Sequence, residues 1–276
     1  MAAFHLLPAG EFTGARLGLV RVEGLITDSE ELVDWIRELE RDESVKGVLL
    51  RIDSPGGVVA PSQEVFAAVR GLAATKPVVA SMGALAASGG YYVAAAADVI
   101  LANPSSLTGS IGVRMELLNI RELAEKIGLA QTLIASGEMK GVGTPFRDLS
   151  PREREYLTSV VMDMHEQFVS DIAQARGMDR AQVAALADGR AFTGRQALER
   201  GLVDRLGGLQ DALELLREQT GLSEEAPILE GPPEEKLGLL RLILSSAGIG
   251  PGSAHPARAA SELASGLLGQ RWVFLY

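Results

Sequence analysis

The chain contains no cysteine, which removes disulfides, thiolate metal ligands and cysteine nucleophiles together. Histidine is almost as scarce, with three in 276 residues: His5, His165 and His255. His5 stands in the N-terminal stretch and His255 in a Pro/Gly-rich stretch, while His165 lies in a helical segment beside an apolar stripe and reads as structural. A hydrolase made from this sequence has few histidines to use as its base. Basic clusters are missing too, and a net charge of −10 leaves nothing to neutralise phosphates, so a nucleic-acid surface is excluded. The first 15 residues lack the basic start of a signal peptide, and Pro8, Gly10 and Glu11 break them up, so they predict neither a leader nor a membrane span. One uncharged run, Pro77 to Ala97, reaches span length at 21 residues, but Gly83, Ser88, Gly89 and Gly90 interrupt it. It reads as a buried strand, a turn and a buried helix.

What is present is an ordinary globular composition, 47% hydrophobic and 22% charged, long enough for one large α/β domain with an extension. Strand and helix signals alternate. Strands are expected at Leu17–Val22, Val45–Ile52, Val78–Met82, Asp98–Ala102 and Gln131–Ala135, with Asp53–Gly57 as a turn. Helical spacing marks a helix after Asp28 or Ser29 carrying Leu32, Val33, Ile36 and Leu39, another over Gln63–Leu72, and one opening at Ser88. Ser150, Pro151 and Glu153 form a capping-box signal for a helix running to about Ala175, with Tyr156, Val160, Met164, Phe168 and Ile172 along one stripe. Shorter helices follow at about Asp179–Leu186, Thr193–Arg200 and Leu209–Leu216. The βαβ series implies a mostly parallel sheet flanked by helices. Beyond about Glu225 the sequence turns linker-like, with an apolar stretch Leu237–Leu244 and an aromatic end Trp272–Tyr276. That tail packs either on a neighbour or surface, or back onto its own domain.

Chemistry concentrates in two places. Ser88 stands where a strand becomes a helix and is followed by two glycines. The first N–H groups of a helix lack internal partners and suit a developing oxyanion, and glycine lets a substrate approach the backbone closely. Asp53-Ser54-Pro55-Gly56-Gly57 offers a second turn of this kind at the same sheet edge. A serine needs a base. With histidine poorly placed, lysine is the alternative where burial and neighbours disfavour its charged form. Of the five lysines, Lys46 and Lys76 precede strands, Lys126 lies among charges and Lys236 is in the tail, which leaves Lys140. Spacing alone leaves Lys140 as either a solvated loop lysine or that base.

These residues carry a resemblance. Ser81 to Tyr92 is similar to the nucleophile motif of the signal peptide peptidase A family of serine–lysine peptidases, and Arg51 to Gly57 resembles its oxyanion turn. Thr108 to Val113, Lys140 with Thr144-Pro145-Phe146-Arg147, and Asp188-Gly189-Arg190 through Gly201-Leu202-Val203-Asp204 resemble three further motifs, in order, over about residues 17–222. The resemblance implies a ClpP/crotonase-like α/β fold over 17–222, between an N-terminal segment (1–16) and a C-terminal extension (223–276). It implies Ser88 as nucleophile, Lys140 as general base, Ser110 as the hydroxyl that orients the lysine, and the N–H groups of Gly57 and Gly89 as the oxyanion hole. Tyr91 and Tyr92 also match, although core packing accounts for them. No metal or cofactor is implied. Extended apolar peptides, such as remnant signal peptides, would be the substrates of a ring- or dome-like homo-oligomer. Membrane-bound members carry an N-terminal transmembrane segment that this sequence lacks, so the expectation is either a soluble or membrane-peripheral protein of the bacterial cytoplasm or a membrane face, or a chain from which such a segment has been removed. Two other readings share the same sheet and turns: a crotonase-type acyl-CoA enzyme and a non-catalytic assembly subunit.

Overall fold

The computed structural model describes residues 6–7, 14–231 and 274–276. His5, Lys236, Leu237–Leu244, His255 and Trp272–Val273, considered above from the sequence, lie outside these residues. Residues up to Arg114, residues 163–231 and Leu275–Tyr276 belong to one compact unit, and Met115–Met162 with Phe274 to another.

In chain order the elements are β1 (Leu6–Leu7), β2 (Arg16–Ile26), α1 (Glu30–Arg41), β3 (Val45–Gly57), α2 (Val59–Ala73), β4 (Val78–Ala87), α3 (Gly89–Ala95), β5 (Val99–Ala102), β6 (Leu107–Gly109) and β7 (Arg114–Met115). There follow α4 (Arg121–Lys126), a single 3-10 turn at Glu138–Gly141, α5 (Pro151–Arg176), α6 (Arg180–Leu186), β8 (Ala191–Thr193), α7 (Gly194–Glu199), β9 (Arg205–Leu206), α8 (Leu209–Thr220), β10 (Ile228–Gly231) and β11 (Phe274–Leu275).

The first unit holds a nine-stranded sheet in the order β1-β10-β2-β3-β4-β5-β9, with β6 pairing β4 and β8 pairing β6. Among the described strands of this sheet every pairing is parallel except β6 with β8. Parallel sheets bury both faces, and the sequence of β4 fits that demand, since its first six residues, Val78 to Gly83, are all buried. On one face Leu17, Leu19, Leu49, Val79 and Leu101 pack against Ala212, Leu213, Leu215 and Leu216 of α8. The intervening residues point the other way. There Gly18 lies so close under Leu39 of α1 that a β-carbon would stand 2.9 Å from the Leu39 side chain. Trp35 of α1 donates its indole N–H to the Leu19 carbonyl at 3.0 Å. The uncharged run resolves into β4 and α3, and all seven residues of α3 are buried.

Three expectations change. Asp53–Gly57 is not a turn but the continuation of β3. Ser54 pairs Ala86 after a register shift and Gly56–Gly57 pair Leu25–Ile26, so partners on both sides keep the backbone extended. β4 likewise runs past Met82, because β6 takes over its outer edge at Leu85–Ala87 where β5 has stopped. Gln131–Ala135 forms no strand. Leu133 is 52% and Ile134 94% exposed, and a β-prone segment gains little without a neighbouring strand and a buried face. The stripe on α5 is buried at Phe168 and Ile172, whereas Tyr156 remains exposed. Of the two readings of the tail, its described end follows the second: Tyr276 is buried against Tyr92 and Phe168, and its N–H donates to the Gly57 carbonyl at 2.9 Å.

Phe168 is fully buried, with ring centroids 4.8 Å from Tyr92 and 4.3 Å from Tyr276. Phe168→Ala should therefore lower the unfolding free energy by about 3–5 kcal/mol, read as a drop in the urea midpoint at unchanged m value.

Candidate active site

The ends of β3 and β4 lie side by side, and each delivers its chain into a helix. Between β4 and α3, Ser88 takes φ 57° and ψ −121°. A side chain is costly in this region, which glycine occupies freely. Its backbone is held from both sides: the Ser88 N–H donates to the Gly109 carbonyl at 2.7 Å, and its own carbonyl accepts the Tyr92 N–H at 2.9 Å. A strained backbone so pinned fixes where the hydroxyl starts from.

The neighbouring end of β3 touches it backbone to backbone. A β-carbon on Gly56 (φ +98°) would stand 2.5 Å from the Gly89 nitrogen, and one on Gly89 would stand 3.2 Å from the Gly57 nitrogen. One on Gly57 would fall 2.0 Å from the Ile26 carbonyl oxygen. Only glycine fits at these points. The structure therefore brings Ser88, Gly57 and Gly89 together.

Sequence reasoning missed the side chains that shape the end of β3. Ser54, fully buried, donates its hydroxyl to the Gly24 carbonyl at 2.6 Å and accepts the Gly56 N–H at 3.1 Å. Asp53 accepts the Leu85 N–H at 3.1 Å, and Thr108 donates to the Ala86 carbonyl at 2.7 Å. Short polar residues beside a Gly-Gly pair were the available signal.

Ser110 follows directly on the residue that holds Ser88 and also has positive φ, 52°. Its N–H donates to the Arg190 carbonyl at 2.9 Å and its hydroxyl to the Gly189 carbonyl at 3.2 Å. The Tyr91 hydroxyl donates to the Leu202 carbonyl at 2.9 Å, and burial pushes that phenol up from its ordinary range. Tyr92 donates to Asp171 and stacks on Phe66, so both tyrosines serve the core, as expected. His165 is held below its usual range by burial alone, in keeping with a structural role.

Lys140 belongs to the second unit. It sits on the 3-10 turn Glu138–Gly141, exposed to solvent, with its N–H donating to the Gly137 carbonyl at 3.0 Å. Gly141 and Val142 behind it are buried. The capping box expected at α5 is present: the Ser150 hydroxyl accepts the Glu153 N–H at 3.2 Å and the Glu153 carboxylate accepts the Ser150 N–H at 2.9 Å. Glu153 does more than cap. Its side chain is 5% exposed and receives both terminal nitrogens of Arg147, which hold its carboxyl down at about 2.

Comparison with known proteins places the chain in company. The model of peptidase family S49 matches residues 70–223, a span that contains Ser88, Gly89, Ser110 and Lys140. A protein of Methanocaldococcus jannaschii that bears a protease name is 40% identical over 215 residues, covering 78% of this chain and 69% of the relative. A Synechocystis protein, also with a protease name, is 37% identical over 232 residues, 83% of each chain. The chloroplastic serine protease SPPA of Arabidopsis thaliana is 35% identical over 218 residues, 79% of this chain and 32% of the plant protein.

The backbone at residue 88 makes a thermodynamic prediction. Ser88→Gly should be more stable than Ser88→Ala by about 1–3 kcal/mol, measured by urea unfolding, because glycine removes the cost of positive φ. A second concerns pH. Folding holds the Glu153 carboxyl at about 2 against an ordinary value of 4.5, so its stabilising contribution is complete above pH 4.5 and is lost as pH falls toward 2. The melting-temperature gap between the parent and Glu153→Gln should therefore narrow over that interval.

Proposed function

This chain belongs to peptidase family S49, the family of signal peptide peptidase A, and is a serine peptidase; from that premise we propose that Ser88 and Lys140 form its catalytic dyad. The observation that carries the reading is the conformation of Ser88, a positive-φ hydroxyl residue pinned between a buried strand and a buried helix, against the Gly56–Gly57 end of β3. Strain of that kind persists only where the surroundings enforce it, and it concentrates at reacting groups.

In the proposed mechanism the Lys140 amine, in its neutral form, takes the hydroxyl proton as the Ser88 oxygen attacks the peptide carbonyl. The carbonyl oxygen gains negative charge and is held by the Gly57 and Gly89 N–H groups. The ammonium then protonates the leaving amine as the C–N bond breaks. Lys140, neutral again, deprotonates the water that attacks the acyl ester, and that proton returns to the Ser88 oxygen as the ester bond breaks. Ser110 orients the amine.

An amine works as a base near neutral pH once burial or a neighbouring cation disfavours its charged form. A bound peptide or an adjoining subunit that covers Lys140 would supply the burial, in keeping with a homo-oligomeric enzyme. Extended apolar peptides, remnant signal peptides among them, fit that requirement because they bring no charge to the covered amine. A relative of Enterococcus faecium named for signal peptide peptidase activity, 38% identical over 203 residues, supports this substrate class. Among the described residues no helix is long and apolar enough to cross a membrane. No observation favours acyl-CoA chemistry or a purely structural role.

The test uses the purified full chain and a fluorogenic apolar peptide. Ser88→Ala and Lys140→Ala should each lower kcat by roughly 1,000-fold or more with unchanged circular dichroism. A Lys140→Ala enzyme that keeps more than about a tenth of parental kcat would remove the lysine from the mechanism.

A further inference from the structure

The turn that carries Lys140 is short and exposed, and a general base must be held to within fractions of an ångström of its working geometry. Two side-chain links tie this turn to the first residues of α5. At its start, Arg152 donates to the Glu138 carboxylate at 2.6 Å. At its end, Arg147 donates to the Gly141 carbonyl at 3.2 Å while its guanidinium is gripped by Glu153. All of these residues lie within the second unit.

The Glu153 link is more elaborate than a helix cap requires. A capping box needs only the exchange between Ser150 and Glu153. Burying a carboxylate is expensive unless it is paired and fully hydrogen-bonded, and here the same carboxylate accepts the Ser150 N–H and two guanidinium nitrogens. The guanidinium fork is planar and rigid, so the grip of Glu153 on both terminal nitrogens fixes where Nη2 stands, and Nη2 also donates to Gly141, the residue after Lys140.

We infer that the first turn of α5 is the positioning device for Lys140, acting through Glu153–Arg147 on the Gly141 carbonyl and through Arg152 on Glu138. The inference rests on the reading of Lys140 as general base. Arg147, Arg152, Glu138 and Glu153 are positioning residues that set where the amine stands without touching the reacting atoms. Lysine does not replace Arg147, because an ammonium lacks the second nitrogen that grips the carboxylate and fixes the direction of the first.

The experiment measures kcat and KM separately on the full chain with the apolar peptide, well below each variant's melting temperature. Arg147→Lys and Glu153→Gln should lower kcat by about tenfold or more and leave KM within about twofold, since misplacing a catalytic group slows chemistry more than binding. The solvent-exposed pair tests the other end in variants that leave the interior untouched. Arg152→Glu, which sets two carboxylates against each other, should lower kcat by about two- to fivefold, and adding Glu138→Arg should restore it. A structural role alone would shift melting temperature without that rescue. If Arg147→Lys or Glu153→Gln does not fold, the charge swap decides: unchanged kcat in Arg152→Glu, or no recovery in the double variant, overturns the inference. Unchanged kcat in folded Arg147→Lys and Glu153→Gln overturns it as well. Lys140→Ala, measured alongside, separates the two claims. Retained activity there removes the base itself, whereas its loss beside fully active Arg147→Lys and Arg152→Glu removes only the positioning.

Discussion

Two strand-to-helix junctions touch backbone to backbone, and the rest of the first unit is arranged around that contact. Gly56, Gly57, Gly89 and Gly90 leave no room for a β-carbon, so β3 and β4 can run further together than their apolar stretches require. The sheet pays out its hydrogen bonds to the last residue before each junction: β2 continues beside Gly56–Gly57, and β6 beside Ala86–Ala87. Side chains would push these segments apart and let water between the amides. A hydroxyl beside a pair of closely spaced N–H groups follows from that exclusion.

The lysine side is built on a different plan. The serine stands on a wide parallel sheet with buried neighbours, where position is set by close packing. The lysine stands on one turn in a stretch of chain with little regular structure, where ion pairs and a cap take over that task. Rigidity comes from apolar density in one case and from a few directional polar links in the other.

How far the sequence revealed this differs from element to element. The run Pro77–Ala97 divides into strand and helix at Ser88 as its glycines imply, and the capping box at Ser150 and Glu153 forms as its spacing implies, because both signals are local. The same locality explains the failures. Asp53–Gly57 carries turn chemistry but is held extended by strands on either side, a tertiary effect that no window of five residues contains. Gln131–Ala135 has strand composition but pairs with no strand among the described residues. The bond from Ser54 to Gly24 spans 30 residues, and Arg147 reaches back six to Gly141, so neither was legible as a pattern. Ser88 and Lys140 fall in different compact units, and only the resemblance of ordered motifs linked them.

The strand order carries a consequence for synthesis. β2 is flanked on its outer side by β10, and among the described strands β1 joins the sheet through β10. A chain emerging from the ribosome therefore makes the central strands early, while the open edge of β2 waits for residues about two hundred positions later. At typical elongation rates that is on the order of ten to forty seconds of unprotected backbone donors and acceptors. A nascent chain in this condition is a natural client for holding factors, and slow translation over residues 100–228 would lengthen its vulnerability to self-association.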